Sequence, residues 1–285
     1  VGLLFDAVQH ALTISSIDRF ETMSIRVSSL ACLDGEHLIA ATFGQGIYIQ
    51  SDVEKWERMD AGLPSQAIVY RLHVIEQNLL ASTDQGLYYW NDKEWENAGL
   101  RFSCHRVAKS CCSLLAATDQ GLAVLHGNHQ WKCIAFEGKH VYDMVSTPNY
   151  LFVAFEKGVA YYDVLTGDWY DYQLTKAVTS LVLYQDYILG ITTDGCLIQS
   201  DRRGGFQAVR FEGKCFYQLF RFGNQLLACS NQGLYRVELR SSGFQLQLMG
   251  ISCPVTDVIE YKDRMIAATM HYGLLSLPNP QGTLL

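Results

Sequence analysis

Leu79-Leu80-Ala81-Ser82-Thr83-Asp84-Gln85-Gly86-Leu87-Tyr88 decides how this 285-residue chain is read, because the phrase recurs. It returns as Leu114-Leu115-Ala116-Ala117-Thr118-Asp119-Gln120-Gly121-Leu122 and as Leu226-Leu227-Ala228-Cys229-Ser230-Asn231-Gln232-Gly233-Leu234-Tyr235. Weaker copies surround Gly46, Gly158, Gly195 and Gly273, and the seven glycines stand 40, 35, 37, 37, 38 and 40 residues apart. That period fits a propeller blade of four short strands. In each copy two apolar strands flank a turn whose glycine reaches positive φ without steric cost. An aromatic follows each of the first six glycines: Trp56, Trp95, Trp131, Trp169, Phe206 and Phe244. It is expected to start or precede the outer strand and to pack between neighbouring blades.

The expectation is therefore an all-β fold: one domain over residues 1–285, a seven-bladed β-propeller of four-stranded antiparallel blades. The blades should start near 27, 69, 104, 141, 178, 216 and 255. The seventh unit runs from Val255 to Leu277 and lacks an outer strand, which would leave an edge unpaired. Phe20-Glu21-Thr22-Met23 mirrors Trp56-Glu57-Arg58-Met59, so residues 18–25 are expected to complete the last blade and close the ring. Gly2-Leu3-Leu4-Phe5 also resembles a third strand and competes with Gly273-Leu274-Leu275-Ser276-Leu277; both assignments stay open. Phe5, Val8, Ala11 and Leu12 form the only helix candidate.

Composition narrows the partner classes. Formal net charge is -7 with no run of Lys or Arg, whereas nucleic acid demands clustered positive charge. No stretch of 18 apolar residues occurs, so no membrane span is expected. The first residues lack a basic stretch followed by an apolar core, and the chain opens at Val1 rather than Met, as a start trimmed upstream would. Nine cysteines is an odd number without a CxxC pair; Cys32, Cys196 and Cys229 sit in apolar runs as small hydrophobes. Adjacent Cys111 and Cys112 would point to opposite faces of a strand. These features fit reduced thiols and a cytoplasmic location.

Tyr48-Ile49-Gln50-Ser51-Asp52 followed by Trp56, and Leu197-Ile198-Gln199-Ser200-Asp201 followed by Gly204, Gly205 and Phe206, resemble a degenerate Asp box. That is the S-x-D-x-G-x-T-W turn of bacterial neuraminidase-type repeats. The repeats are also similar to those of two-component regulator propellers and photosystem assembly-factor-like propellers. The resemblance covers nearly the whole chain and is one of architecture. In that superfamily the Asp box is a folding element, and functions range from hydrolase to lyase to scaffold, so the resemblance implies a fold and carries over no catalytic residue.

In a propeller the first strand of each blade lines the central channel. Aligning these strands on Leu30, Leu72, Val107, Met144, Leu181, Leu219 and Val258 places Ser29, Arg71, Arg106, Asp143, Ser180, Gln218 and Asp257 just before, polar in all seven. One step earlier come Ser28, Tyr70, His105, Tyr142, Thr179, Tyr217 and Thr256. The candidate binding residues are thus Tyr70, Arg71, His105, Arg106, Tyr142, Asp143 and Tyr217 at the mouth of the channel. Arg71 and Arg106 would form an anion clamp on adjacent blades, with the tyrosines as walls. A wet channel must be polar in any case, and Arg106 and Asp143 can simply pair.

Two functions follow. The first is a binding or assembly module that recognises a partner protein or an anionic small molecule. The second is an enzyme, a lyase, cyclase or hydrolase, with His105 as acid or base; it requires His105, Arg106 and a tyrosine to converge on one point. No P-loop, GxGxxG, GxSxG or HExxH motif occurs, and no cofactor is implied. His126 and His129 lack a third ligand nearby, so no metal site is expected. Asp84, Asp119 and Asp194 read as turn caps, His37 as a hairpin-turn residue, and His73 as a core histidine facing a neighbouring blade. The acidic aromatic stretch from Tyr161 to Tyr172 is the alternative interaction edge.

Overall fold

The computed structural model describes residues 18–19 and 25–278, apart from 53–54, 111–112, 128–129, 202–204 and 241–242. Among the described residues every regular element is a strand, and these form seven four-stranded antiparallel sheets. The all-β, seven-bladed expectation holds. The first strands are Val27–Leu33, Val69–Ile75, Cys104–Ser110, Val141–Ser146, Val178–Tyr184, Phe216–Phe222 and Val255–Tyr261, in blades 1 to 7. Among the described residues no helix is long and apolar enough to cross a membrane.

The hydrophobic core is divided into seven clusters, each held between two neighbouring blades. The cluster of Val27, Leu30, Leu38 and Ala40 with Tyr261, Ile266, Ala268 and Leu274 joins blade 1 to blade 7. Hydrogen bonds reinforce this seam: Thr256 Oγ1 donates to the Val27 carbonyl at 2.7 Å, and Tyr261 Oη to that of Glu36 at 2.7 Å. Asp18–Arg19 lie antiparallel to Leu275 and Ser276 at the outside of blade 7. The remainder of the expected closing strand, 20–24, lies outside the described residues, as do the third-strand and helix candidates in 1–17. Ile25, expected in that strand, sits in a bend instead.

The recurring aromatics do lie at the outer strands. Trp95, 2% exposed, packs into the cluster between blades 1 and 2 and donates Nε1–H to the Met59 carbonyl at 2.6 Å. Trp131 does the same to Ala98 at 2.8 Å. The recurring turns hold a detail the repeat does not announce. The residue before the Asp position (Thr42, Thr83, Thr118, Thr192, Ser230 or Thr269) donates its hydroxyl to a carbonyl across the turn. Each also accepts a backbone N–H from within the turn. The local cap is therefore the hydroxyl. The acidic or amide side chain beside it reaches farther: Asp84 Oδ1 accepts the N–H of Ile68 at 2.8 Å and Asn231 Oδ1 that of Cys215 at 2.8 Å, each 16 residues back. Asp194 instead shares the Thr192 hydroxyl proton, at 2.6 Å against 3.4 Å for the Cys196 carbonyl, and pairs with Arg210, and Asp119 Oδ1 is buried with no partner.

Candidate functional site at the channel mouth

Every first strand breaks register against its neighbour at one residue, and these bulges fall at Ser28, Tyr70, His105, Tyr142, Thr179, Tyr217 and Thr256. A bulge leaves one residue unpaired and re-aims its side chain. The recurring tyrosines occupy these positions, on the face where the first strands begin, the upper face below. Tyr70, His105 and Tyr142, on blades 2, 3 and 4, form a continuous row. Ring centroids are 5.2 Å apart for Tyr70 and His105, and 5.1 Å for His105 and Tyr142. His140 extends the row at 6.0 Å from Tyr142. Tyr217 stands apart on blade 6.

One step further in, the polar layer has a structural task. The first strand is the inner edge of its sheet, so its N–H groups toward the channel need acceptors from elsewhere. All seven amides that follow this layer receive a side-chain acceptor. Where a blade offers Ser or Asp, it takes the amide of the next blade. Ser29 Oγ accepts Leu72 N–H at 3.1 Å, Asp143 Oδ2 accepts Leu181 at 2.8 Å, Ser180 Oγ accepts Leu219 at 3.2 Å, and Asp257 Oδ2 accepts Leu30 at 2.8 Å. Arg106 and Gln218 do not serve the next blade. There Asp143 Oδ1 and Asp257 Oδ1 cap their own neighbours, Met144 at 2.7 Å and Val258 at 2.8 Å. Behind Arg71, His73 Nε2 accepts Val107 N–H at 3.4 Å and lies 3.0 Å from Ser82 Oγ. His73 is thus a core histidine facing the neighbouring blade, with Nδ1 as the protonated nitrogen.

This layer changes the clamp inferred from sequence. Arg106 is turned to Asp143, Nη1 to Oδ1 at 3.0 Å, so it is already paired. Arg71 makes no hydrogen bond or ion pair among the described residues. Its guanidinium carbon lies 5.8 Å from the centre of the Phe220 ring on blade 6, across the channel. Arg71 therefore spans the channel and forms a floor below the mouth. Burial, and then the Arg106 charge, pull its pKa down to about 10. Asp257 accepts Ser29 Oγ–H at 2.7 Å as well as its two amides, and burial holds its carboxyl above the usual range.

His105 does not meet Arg106 and a tyrosine in a hydrogen-bonded constellation. Its ring lies between two tyrosine rings, and its Nε2 is buried without a partner. Burial, followed by His140, lowers its pKa to about 4. Burial, then Arg71 and Arg106, lowers that of His73 well below 6.5. Both groups are neutral when folded, whereas in the unfolded chain they take up protons below about pH 6.5. The unfolded state then binds more protons, so stability is full above pH 6.5 and lost as pH falls toward 4. Each histidine should cost up to about 1.4 kcal/mol per pH unit in that window. Urea unfolding at pH 7.5, 6, 5 and 4.5 measures this. His105→Leu should flatten the slope, and an unchanged slope would contradict the assignment.

The other candidates lie elsewhere. His37 begins the strand His37–Thr42, His126 is exposed at the end of Gly121–His126, and His129 falls outside the described residues. Among the described residues no group of three or more His, Cys, Asp or Glu could hold a metal ion. Cys104, Cys196 and Cys229 are buried, and Cys32 is only half-buried. In blade 4, Tyr161 stacks on Tyr170 at 5.0 Å and on Tyr172 at 6.0 Å. The adjoining turn exposes Leu165, 81% accessible, at the opposite or lower face.

No family model matches this sequence, and no curated protein matches it. Its fold is similar to the extracellular domain of the one-component system BT4673 from B. thetaiotaomicron, with TM-score 0.75, 16% identity, and coverage of 92% of this chain and 40% of that one. It is also similar to virginiamycin B lyase from Staphylococcus aureus, with TM-score 0.72, 7% identity, and coverage of 91% and 97%. A third is YCF48 bound to D1 peptide, with TM-score 0.68, 11% identity, and coverage of 92% and 96%. The chain thus spans 40% of the length of the BT4673 domain, and the likeness to all three is one of fold.

Proposed function

We propose that this propeller is a binding module that docks a partner protein on its upper face, over the mouth of the channel. One observation carries the reading: six exposed large apolar side chains lie on the face around that mouth, four of them aromatic residues other than the pair stacked on His105. Phe43, Ile68, Tyr70, Phe102, Tyr217 and Tyr272 range from 37% exposed at Ile68 to 54% at Phe102. Phe43 and Ile68 pair through an isolated backbone bridge, which brings blade 1 beside the segment that leads into Tyr70, the first ring of the Tyr70–His105–Tyr142 row. Aromatic anchors of this kind supply large apolar area at low entropy cost and are enriched at interfaces. The Arg71 floor also favours a partner seated on the face over a substrate passing through the ring. YCF48, of similar fold, is bound to a peptide, and virginiamycin B lyase is an enzyme, so likeness of fold does not choose between the readings. The neutral, ring-stacked His105 gives the enzymatic reading no proton relay.

A photo-crosslinking side chain placed in living cells tests the proposal. Substitution at Phe102 or Tyr272 should trap the same partner, and substitution at Leu165 on the lower face should not. Crosslinks confined to Leu165 would move the interface to the Tyr161–Tyr172 edge and end this reading.

A further inference from the structure

We infer that the ring-bearing face of blade 4 is a second docking surface, independent of the channel mouth, for a segment that carries arginine side chains. Five aromatic rings form one array across three strands of the blade: Tyr150 and Phe152 in Tyr150–Phe155, Tyr161 in Gly158–Asp163, and Tyr170 and Tyr172 in Trp169–Gln173. Phe152, Tyr161 and Tyr170 stand directly opposite one another in the ladder. Ring centroids are 5.8 Å apart for Phe152 and Tyr161, 5.7 Å for Tyr150 and Tyr161, and 5.0 Å for Tyr161 and Tyr170. Blade 5 covers only part of this face. Its outer two strands, Leu197–Ser200 and Phe206–Val209, are 4 residues long against 6 and 5 in blade 4. Phe152 packs into the cluster between the two blades, and Phe206 meets Tyr172 edge-on at 5.7 Å. Tyr150 and Tyr170 stay 37% and 45% exposed.

The charge at the end of the array chooses the partner. Asp163 lies two residues after Tyr161 and Asp168 two before Tyr170, so strand alternation brings both to the ring-bearing face. The Asp163 N–H donates to the Asp168 carbonyl at 3.0 Å, which sets the two residues opposite each other across the turn. Like charges directly opposite in a β-pair repel. Asp163 Oδ1 accepts the N–H groups of Leu165 at 2.8 Å and Thr166 at 3.4 Å, yet neither carboxylate has an ion pair among the described residues. No described Lys or Arg lies over any of the array's rings either. Aromatic faces and uncompensated negative charge thus stand side by side, and both attract a cation. The geometry favours a planar one. Tyr161 and Tyr170 are nearly parallel, 18° at 5.0 Å, which leaves no gap for a cation between them. It must lie flat on the outer side of Tyr170. A guanidinium stacks there and still turns donors toward a carboxylate, whereas an ammonium is a compact, strongly hydrated point charge. A neutral sugar would cover the rings and leave both carboxylates unmatched.

The probe is a capped peptide of alternating glycine and arginine, titrated into the whole chain with isotope-labelled tyrosine rings and followed by NMR. The Tyr170 ring signal, assigned by its loss in Tyr170→Leu, should shift saturably. That of Tyr70, 38% exposed at the channel mouth, should not. Citrulline in place of arginine keeps the planar group and loses the charge, and should weaken binding roughly tenfold. Asp163→Asn combined with Asp168→Asn should weaken it roughly fivefold. That variant should keep the fold, because Asn retains the oxygen that caps Leu165 and Thr166. A linear shift, an equal shift at Tyr70, or a citrulline peptide that binds as tightly overturns the proposal. So does saturable binding of a neutral oligosaccharide at Tyr170 with no binding of the arginine peptide, which would assign the face to carbohydrate. The two surfaces fail separately: loss of the Tyr170 response leaves the channel-mouth reading standing, and absence of crosslinks at Phe102 leaves this one.

Discussion

Replacing Asp257 with alanine should lower the unfolding free energy by about 3–5 kcal/mol. The carboxylate is buried and receives three donors at once: Leu30 N–H from blade 1, Val258 N–H from its own blade, and the Ser29 hydroxyl. Truncation takes the acceptor from all three at the seam between the last blade and the first. The loss is larger than the surface-substitution norm of about 0.5 kcal/mol because each orphaned donor carries its full desolvation cost. Asp143→Ala should behave alike, since it frees the amides of Met144 and Leu181 and leaves Arg106 without a counter-charge. Asp257→Asn keeps one acceptor oxygen and should fall between. Urea denaturation with an unchanged m-value is the measurement, and a loss below about 1 kcal/mol would show that the amide ring is not a principal support of the fold.

The second large effect belongs to the glycine that ends the recurring phrase. Gly233 has φ +147°, and a Cβ there would sit 2.1 Å from the carbonyl oxygen of Ile251. The same position in blades 2 and 4 would strike Leu100 O at 2.3 Å and Tyr172 O at 2.3 Å. Backbone cannot step aside as a flexible side chain can, so Gly233→Ala combines a strained φ with displacement of the chain leaving the outer strand. A loss of about 3 kcal/mol or more is expected. Gly138 supplies the control: its φ is +70° and nothing lies within 4 Å of its Cβ position, so Gly138→Ala should cost only about 1–2 kcal/mol. Equal costs at the two positions would remove close approach as the reason for the repeat glycine.

That glycine also shows how much of the fold could be read in advance and by what route. Its spacing counts the blades, because one blade is one supersecondary unit of nearly fixed length. The reason first assigned to it, positive φ in a turn, is half of the physics. The close approach of the next loop is a tertiary fact with no local signal. The polar layer of first strands is legible as polar from sequence, yet its cause is not. Ser29, Asp143, Ser180 and Asp257 are acceptors for edge amides, a need that arises only once blades stand side by side. His73 replaces Arg71 in that duty because a guanidinium has no lone pair to offer. A sequence shows two arginines on adjacent strands; it does not show that Arg106 turns toward Asp143 while Arg71 crosses to Phe220. The orientation of a long side chain in a shared cavity is settled by neighbours from other blades, so the candidate set was readable as a list and its division of labour was not.

The seam between blades 7 and 1 has a kinetic consequence. Its latch joins Ser29 to Asp257 across 228 residues, whereas the latch from blade 1 to blade 2 spans 43. The extra loop entropy is modest, about 1.5 kcal/mol on logarithmic scaling. The delay is not. At about 5–20 residues per second, roughly 10–45 s of synthesis separate the two partners on the ribosome. Throughout that interval the apolar flank of blade 1, with Val27, Leu30, Leu38 and Ala40, has been made and has nothing to close against. It is the surface that a nascent-chain chaperone should engage, and the one through which two unfinished rings would join if none did.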